Sequence, residues 1–150
     1  MEAAVQVTTT QVTQPADAGV RILGYLIDVV PIVIVSVVLS FIPILGPMLA
    51  GLLGIAYWLL RDIVGASLGK KLLGTCVFLK DGSEAPKGKL VLRNVTLALP
   101  YAAMLIPLLG YVLGPLVSVI VGIVELVMLI TKKERLGDML ANTAVFKIAK

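Results

Sequence analysis

The chain has 150 residues, 59% of them hydrophobic and 15% charged, with a formal net charge of +4 and a mean hydropathy of +1.03. Soluble domains sit nearer half apolar and a quarter charged, so water is the wrong solvent for most of this sequence. A single cysteine, Cys76, and no histidine exclude an intrachain disulfide, histidine metal sites and nucleophilic triads built on an imidazole base, so no enzymatic role, cofactor or metal is expected.

Residues 1–20 are polar and rich in Thr, Gln and Val, with no basic stretch ahead of a short apolar one, which predicts a flexible tail and not a signal peptide. Residues 22–45 are almost continuously apolar, and about 20 such residues span the hydrocarbon as a helix. They predict a first transmembrane helix. Pro43, Gly46 and Pro47 mark a tight turn into a second span over 46–61. There Ala50, Gly51 and Gly54 are small enough for close helix contact, where lipid supplies little drive for association.

Residues 62–89 form the one long polar segment. Its lysines, with Arg61 before it and Arg93 beyond it, flank apolar spans, and no basic patch interleaved with aromatics appears. The positive charge therefore reads as topology, with this loop cytoplasmic, and not as nucleic-acid binding. A third span is expected over 90–109 and a fourth over 112–131, turned by Gly110, Gly114 and Pro115. The tail over 132–150 matches the central loop in sign, so both chain ends are expected in the cytoplasm.

The stretch Leu68-Gly-Lys-Lys-Leu-Leu-Gly-Thr-Cys-Val-Phe78 aligns without gaps on Leu136-Gly-Asp-Met-Leu-Ala-Asn-Thr-Ala-Val-Phe146, and the same register sets Gly46-Pro47 on Gly114-Pro115. This predicts a parallel internal repeat, each half being a hairpin, an interfacial Leu-Gly segment and a β-prone run. Thr75 to Lys80 and Thr143 to Ile148 are expected to pair as a short cytoplasmic ribbon. Gly74 is the expected stop of the first Leu-Gly segment. That segment is expected to lie on the membrane with Leu68, Leu72 and Leu73 inward and Lys70 and Lys71 toward anionic headgroups. The overall expectation is an all-α membrane protein of four transmembrane helices in two hairpins, with short amphipathic and β-prone cytoplasmic segments.

Arg21 and Asp28 are seven residues apart, two helical turns and about 10 Å along one face. A carboxylate inside a membrane is costly and is a functional candidate with a partner to be named; for Asp28 the candidates are Arg21 and Arg93. Glu125, seven residues before Lys132, reaches a similar depth, so Asp28, Arg93 and Glu125 are expected to meet. Two readings stay open: a cluster that binds cations or exchanges protons, or a charge network that locks helices together. Asp138 is expected to cap a helix or pair with Arg135, Lys70 or Arg61, with a solvated surface pair as the plainer alternative.

Arg21-Ile-Leu-Gly-Tyr-Leu-Ile-Asp28, Ser67-Leu-Gly-Lys-Lys-Leu-Leu-Gly-Thr-Cys-Val77, Leu-Arg93-Asn, Arg135-Leu-Gly-Asp138 and Thr143-Ala-Val145 together resemble the RDD family of membrane proteins, over Arg21 to about Phe146. The resemblance implies one transmembrane domain over 21–150 in a bacterial inner membrane, with Gly69, Lys70, Arg135 and Asp138 as motif residues. Leu68 and Gly137 depart from the family's usual residues. Ion or small-solute transport is what the family implies, here as proton-coupled exchange through Asp28 and Glu125 tuned by Arg21 and Arg93. The alternative is an accessory or scaffold subunit of a larger membrane complex. The bilayer is the expected partner, with a homo-oligomer or larger complex beyond it.

Overall fold

The computed structural model describes residues 12–148, so residues 1–11 of the expected tail and residues 149–150 lie outside the described residues. The chain runs β1 (Val12–Pro15), α1 (Ala18–Ser40), α2 (Leu45–Leu60), α3 (Leu68–Leu73), β2 (Thr75–Leu79), α4 (Lys87–Leu92), α5 (Val95–Ala103), α6 (Gly110–Thr131), α7 (Leu136–Ala141) and β3 (Thr143–Ile148).

Two helices, α1 and α6, are long and apolar enough to cross a membrane, while α2 has 16 residues. The buried residues of α1 are Gly24, Asp28 and Ile32, a single stripe at i, i+4, i+8 that faces the protein. The rest of its surface, including Val33, Ile34, Val37 and Val38, is exposed apolar area of the kind that water does not tolerate over a whole helix.

The two hairpin tips have the same geometry. Ile44 and Leu108 take φ of 64° and 63°, and each closes a γ-turn, Leu45 N–H to the Pro43 carbonyl and Leu109 N–H to the Pro107 carbonyl, both 2.7 Å. The residue two beyond must be glycine in both. A Cβ on Gly46 would lie 1.9 Å from the Leu39 carbonyl oxygen, and one on Gly110 2.5 Å from that of Met104. Gly46 thus corresponds in place to Gly110. The Gly46-Pro47 match to Gly114-Pro115 read from the sequence falls four residues late, since Gly46 follows the tip residue Ile44 by two positions and Gly114 follows Leu108 by six.

The core fills the space between α1, α2 and α5 with Ile32, Trp58, Leu97 and Ala98, and Tyr25 stacks on Trp58 at 5.7 Å. The small residues of α2 serve close packing as expected. A Cβ on Gly51 would meet the Tyr101 carbonyl oxygen at 2.7 Å and one on Gly54 would enter the Tyr101 ring.

The continuous third helix expected over 90–109 is not what forms. Asn94 stands between α4 and α5 with φ −100° and ψ −2°, and its side-chain amide donates to the Leu90 carbonyl at 3.2 Å. A short polar side chain bonding its own backbone competes with helix continuation, so the chain bends where Arg93 and Asn94 turn inward.

Below the helices, α3 and α7 are six residues each and end in left-handed residues, Gly74 at φ 60° and Asn142 at φ 56°, as expected for Gly74. Then β2 and β3 pair antiparallel with Val77 opposite Val145, the expected ribbon. A third strand was not foreseen: β1 pairs with β3 on its other edge, giving the order β1-β3-β2. Residues 12–20, expected within the flexible tail, therefore form β1 and the first turn of α1.

Candidate functional site

Gly69 sets the site's geometry. A Cβ there would lie 2.1 Å from the Gly24 carbonyl oxygen, so α3 tucks directly beneath α1 and aims its first turn at Asp28. Asp28 Oδ1 accepts from the Gly69 N–H at 2.8 Å, and Oδ2 accepts from Ser67 Oγ at 2.7 Å and Arg61 Nη1 at 3.0 Å. Tyr57 Oη donates to the Asp28 carbonyl at 2.7 Å. The carboxylate caps a helix whose own N-cap residue supplies no side-chain bond. Its cation is Arg61, not Arg21 or Arg93 as the sequence suggested. The Arg61 guanidinium also lies 4.3 Å over the Trp58 ring.

Glu125 does for α7 what Asp28 does for α3. Its Oε2 accepts from the Leu136 N–H at 3.0 Å, its Oε1 accepts from Thr96 Oγ1 at 2.5 Å, and Arg135 Nε lies 3.7 Å away. Gly137 fixes the approach, since a Cβ on it would lie 1.8 Å from the Arg93 carbonyl oxygen.

Between these caps runs a line of alternating charge: Lys70, Asp62, Arg93, Asp138 and Arg21. Lys70 pairs with Asp62, and Arg21 pairs with Asp138. Arg93 stands between them, Nη1 3.5 Å from Asp62 and Nη2 2.6 Å from Asp138, close in distance but not aligned as hydrogen bonds. Asn94 donates to Asp62 at 2.8 Å, and Arg21 Nη1 donates to the Lys133 carbonyl at 2.9 Å. Arg93, Asn94 and Asp138 are 0% exposed.

Two expectations are corrected here. Lys70 does not face headgroups; it is buried against Asp62, while Leu68 and Leu72 stay exposed. Asp138 is buried and its ion pairs are with Arg93 and Arg21, not Lys70 or Arg61, while Arg135 acts on it electrostatically without a direct pair. The third meeting point also changes. Asp28 and Arg93 border one cavity of about 30 Å³ with Arg21, Arg61, Lys70 and Arg135. Glu125 borders a separate groove of about 210 Å³, walled by Ile22, Leu26, Leu126 and Leu129.

Burial pushes the Asp62 carboxyl up, but Lys70, Arg93 and Arg61 together outweigh it and hold the group below the usual carboxylate range. Burial likewise opposes ionisation of Asp138, and Arg93, Arg135 and Arg21 hold it low. For Lys70 burial dominates: it pushes the ammonium down to about 7 against the pull of Asp62, with Arg61 and Arg93 adding to the fall. Among the described residues no group of three or more His, Cys, Asp or Glu side chains is arranged to hold a metal ion.

Sequence reasoning named Asp28, Arg93, Lys70, Asp138 and Glu125 but missed Asp62, Asn94 and Ser67 as members of the site and Arg61 as the partner of Asp28. The available signal was position, since Arg61-Asp62 follows directly on an apolar helix and Arg93-Asn94 directly precedes one.

The chain belongs to the RDD family, whose sequence model matches residues 15–142. No curated protein and no solved structure matches it. Family and apolar helices together make it a membrane protein.

Proposed function

We propose that this RDD-family chain is a four-pass protein of a bacterial inner membrane that works as an accessory or scaffold subunit, its buried charges locking the fold and not carrying ions. The observation that carries this reading is the capping of both deep carboxylates. Asp28 and Glu125 each accept a backbone N–H at the start of a short helix, a side-chain hydroxyl, and a guanidinium contact, so the oxygens of both carboxylates are engaged within the fold. The cavity beside Asp28, at about 30 Å³, has room for one or two waters, not a path.

Four passes fit the short tips that join α1 to α2 and α5 to α6, with the polar base on one face. From Asp28 to the tip, α1 rises about 18 Å, so Asp28 would sit inside the leaflet, where pairing is required. Lys80, Lys87, Lys89, Lys132 and Lys133 at the base support reading it as the cytoplasmic side by the positive-inside rule. The offset of 68 residues that maps α3 onto α7 and Val77 onto Val145 supports a parallel repeat about the β2–β3 pair, although the tips are offset by 64. The exposed faces of α1 and α6 are the surfaces offered to a second copy or a larger complex.

Reconstitution tests the reading. Vesicles holding the protein and a sodium or potassium gradient should show no proton-coupled flux above empty vesicles. A cysteine placed at Val38 in a Cys76→Ser background should crosslink in native membranes to a defined protein. Flux that disappears in folded Asp28→Asn would instead restore the exchanger.

A further inference from the structure

Around the 30 Å³ cavity the balance of charge is uneven. Arg21, Arg61, Lys70, Arg93 and Arg135 border it, and among the described residues Asp28 is the only carboxylate that does. Widening the view to every carboxylate these cations touch adds Asp62, Glu125 and Asp138, so the cations outnumber the anions by one when Lys70 is protonated, the form that an anion in the cavity would favour. A buried charge in excess costs several kcal/mol unless something answers it.

The donors are also under-used. Among the described residues, Arg21 Nε, Arg61 Nε, Arg93 Nε, Nη1 and Nη2, and Arg135 Nε and Nη2 are buried without an aligned acceptor. The Arg61 and Arg93 side chains are 3% and 0% exposed, so bulk water does not serve them. Arginine cannot relieve the cost by losing its proton. Of these, Arg93 Nη1 and Nη2 and Arg135 Nε already face carboxylates, which leaves Arg21 Nε, Arg61 Nε, Arg93 Nε and Arg135 Nη2, and N–H groups of this kind on guanidiniums that border one cavity are a recognition surface for an anion.

We propose that this cavity binds one monatomic anion, a halide such as chloride, held by the guanidiniums of Arg93, Arg61 and Arg135. Size selects within the class: the volume suits a single ion of about the size of a water molecule and leaves no room for the oxygens of sulfate or phosphate. The ion closes the excess of one positive charge and accepts from several donors at once, and it sits where α1, α2, α3 and the Arg93–Asn94 bend converge. Its effect is on the fold, so it stands whether or not the subunit reading above does.

The test is thermal unfolding of the full-length protein in detergent, titrated with sodium chloride, bromide or gluconate at constant ionic strength. The expected result is a saturable rise in Tm of about 3–5 °C in chloride and bromide and none in gluconate. Arg135→Gln removes one lining cation and should shrink that rise by half or more, and Lys70→Met is the substitute if Arg135→Gln does not fold. On the wild type alone, chlorine NMR should show line broadening that bromide reverses. Identical unfolding in all three salts, which is the outcome for a cavity that holds only water, overturns the proposal. So does a halide response unchanged in a folded variant, or chloride lines that the protein does not broaden.

Discussion

The α3 and α7 segments share a backbone and carry opposite charge. Each is a six-residue helix whose second residue is a glycine pressed on a backbone carbonyl, each is capped by a carboxylate from a long helix, and each ends in a left-handed residue before a strand. The residue after the glycine points inward in both, and it is Lys70 in one and Asp138 in the other. Because the two inward charges differ in sign, they need not repel across the base. They are joined through Asp62 and Arg93 into one alternating line. Like folds thus become complementary partners by a single change of charge.

The largest effects should come from the shared feature. Gly69→Ala and Gly137→Ala both force a methyl into a carbonyl oxygen, and backbone cannot step aside as a side chain can, so each should cost at least about 3 kcal/mol. Loss of a monodisperse detergent-solubilised species is the readout. If either alanine variant behaves as wild type, the close crossing is not what seats these helices.

The opposite charges should break unequally. Asp138→Asn strips two arginines of their shared counter-ion and should cost about 3–5 kcal/mol. Lys70→Met leaves Asp62 with Arg93 and Asn94 and should cost less, about 1–3 kcal/mol; titration with SDS in mixed micelles would rank them.

Acidity sharpens the same contrast. Asp62 and Asp138 are held below their ordinary values, so the stability they contribute is present above about pH 4 and is lost as pH falls through their folded values. Lys70 runs the other way. Its folded value is about 7 against an ordinary 10.5, so the unfolded chain holds more protons between these and stability should rise with pH across that window. Lys70→Met should flatten the rise while leaving the acid limb in place.

The smallest effect lies at the two left-handed ends. Gly74→Ala should cost about 1 kcal/mol, because a Cβ disfavours that conformation. Asn142→Gly should be neutral or gain up to about 0.5 kcal/mol. Thermal unfolding of the pair measures the asymmetry, and equal losses at both positions would show that the ends are not alike.

What could be read along one helix was legible. The Gly74 stop, the β-prone runs, the close-packing glycines of α2 and a carboxylate deep in α1 all follow from local pattern. What failed was partnership across the fold. Seven-residue spacing offered Arg21 to Asp28, but Gly69 against Gly24 turns the loop after α2 back under α1, and that brings Arg61 and Ser67 to Asp28 instead. Lys70 and Lys71 are indistinguishable in the sequence. Helix phase separates them, since fixing Gly69 against α1 sends Lys70 inward to Asp62. The break at Asn94 was hidden because its neighbours are apolar and the cause, a side chain satisfied by Leu90 and Asp62, is half tertiary.

The central claim is that the two halves are tied through one continuous line of charge. A double-mutant cycle on Lys70→Met and Asp138→Asn tests it directly, because these residues touch only through Asp62 and Arg93. Unfolding free energies should depart from additivity by about 1 kcal/mol or more, whereas agreement within about 0.5 kcal/mol would mean two separate ion pairs and no common lock.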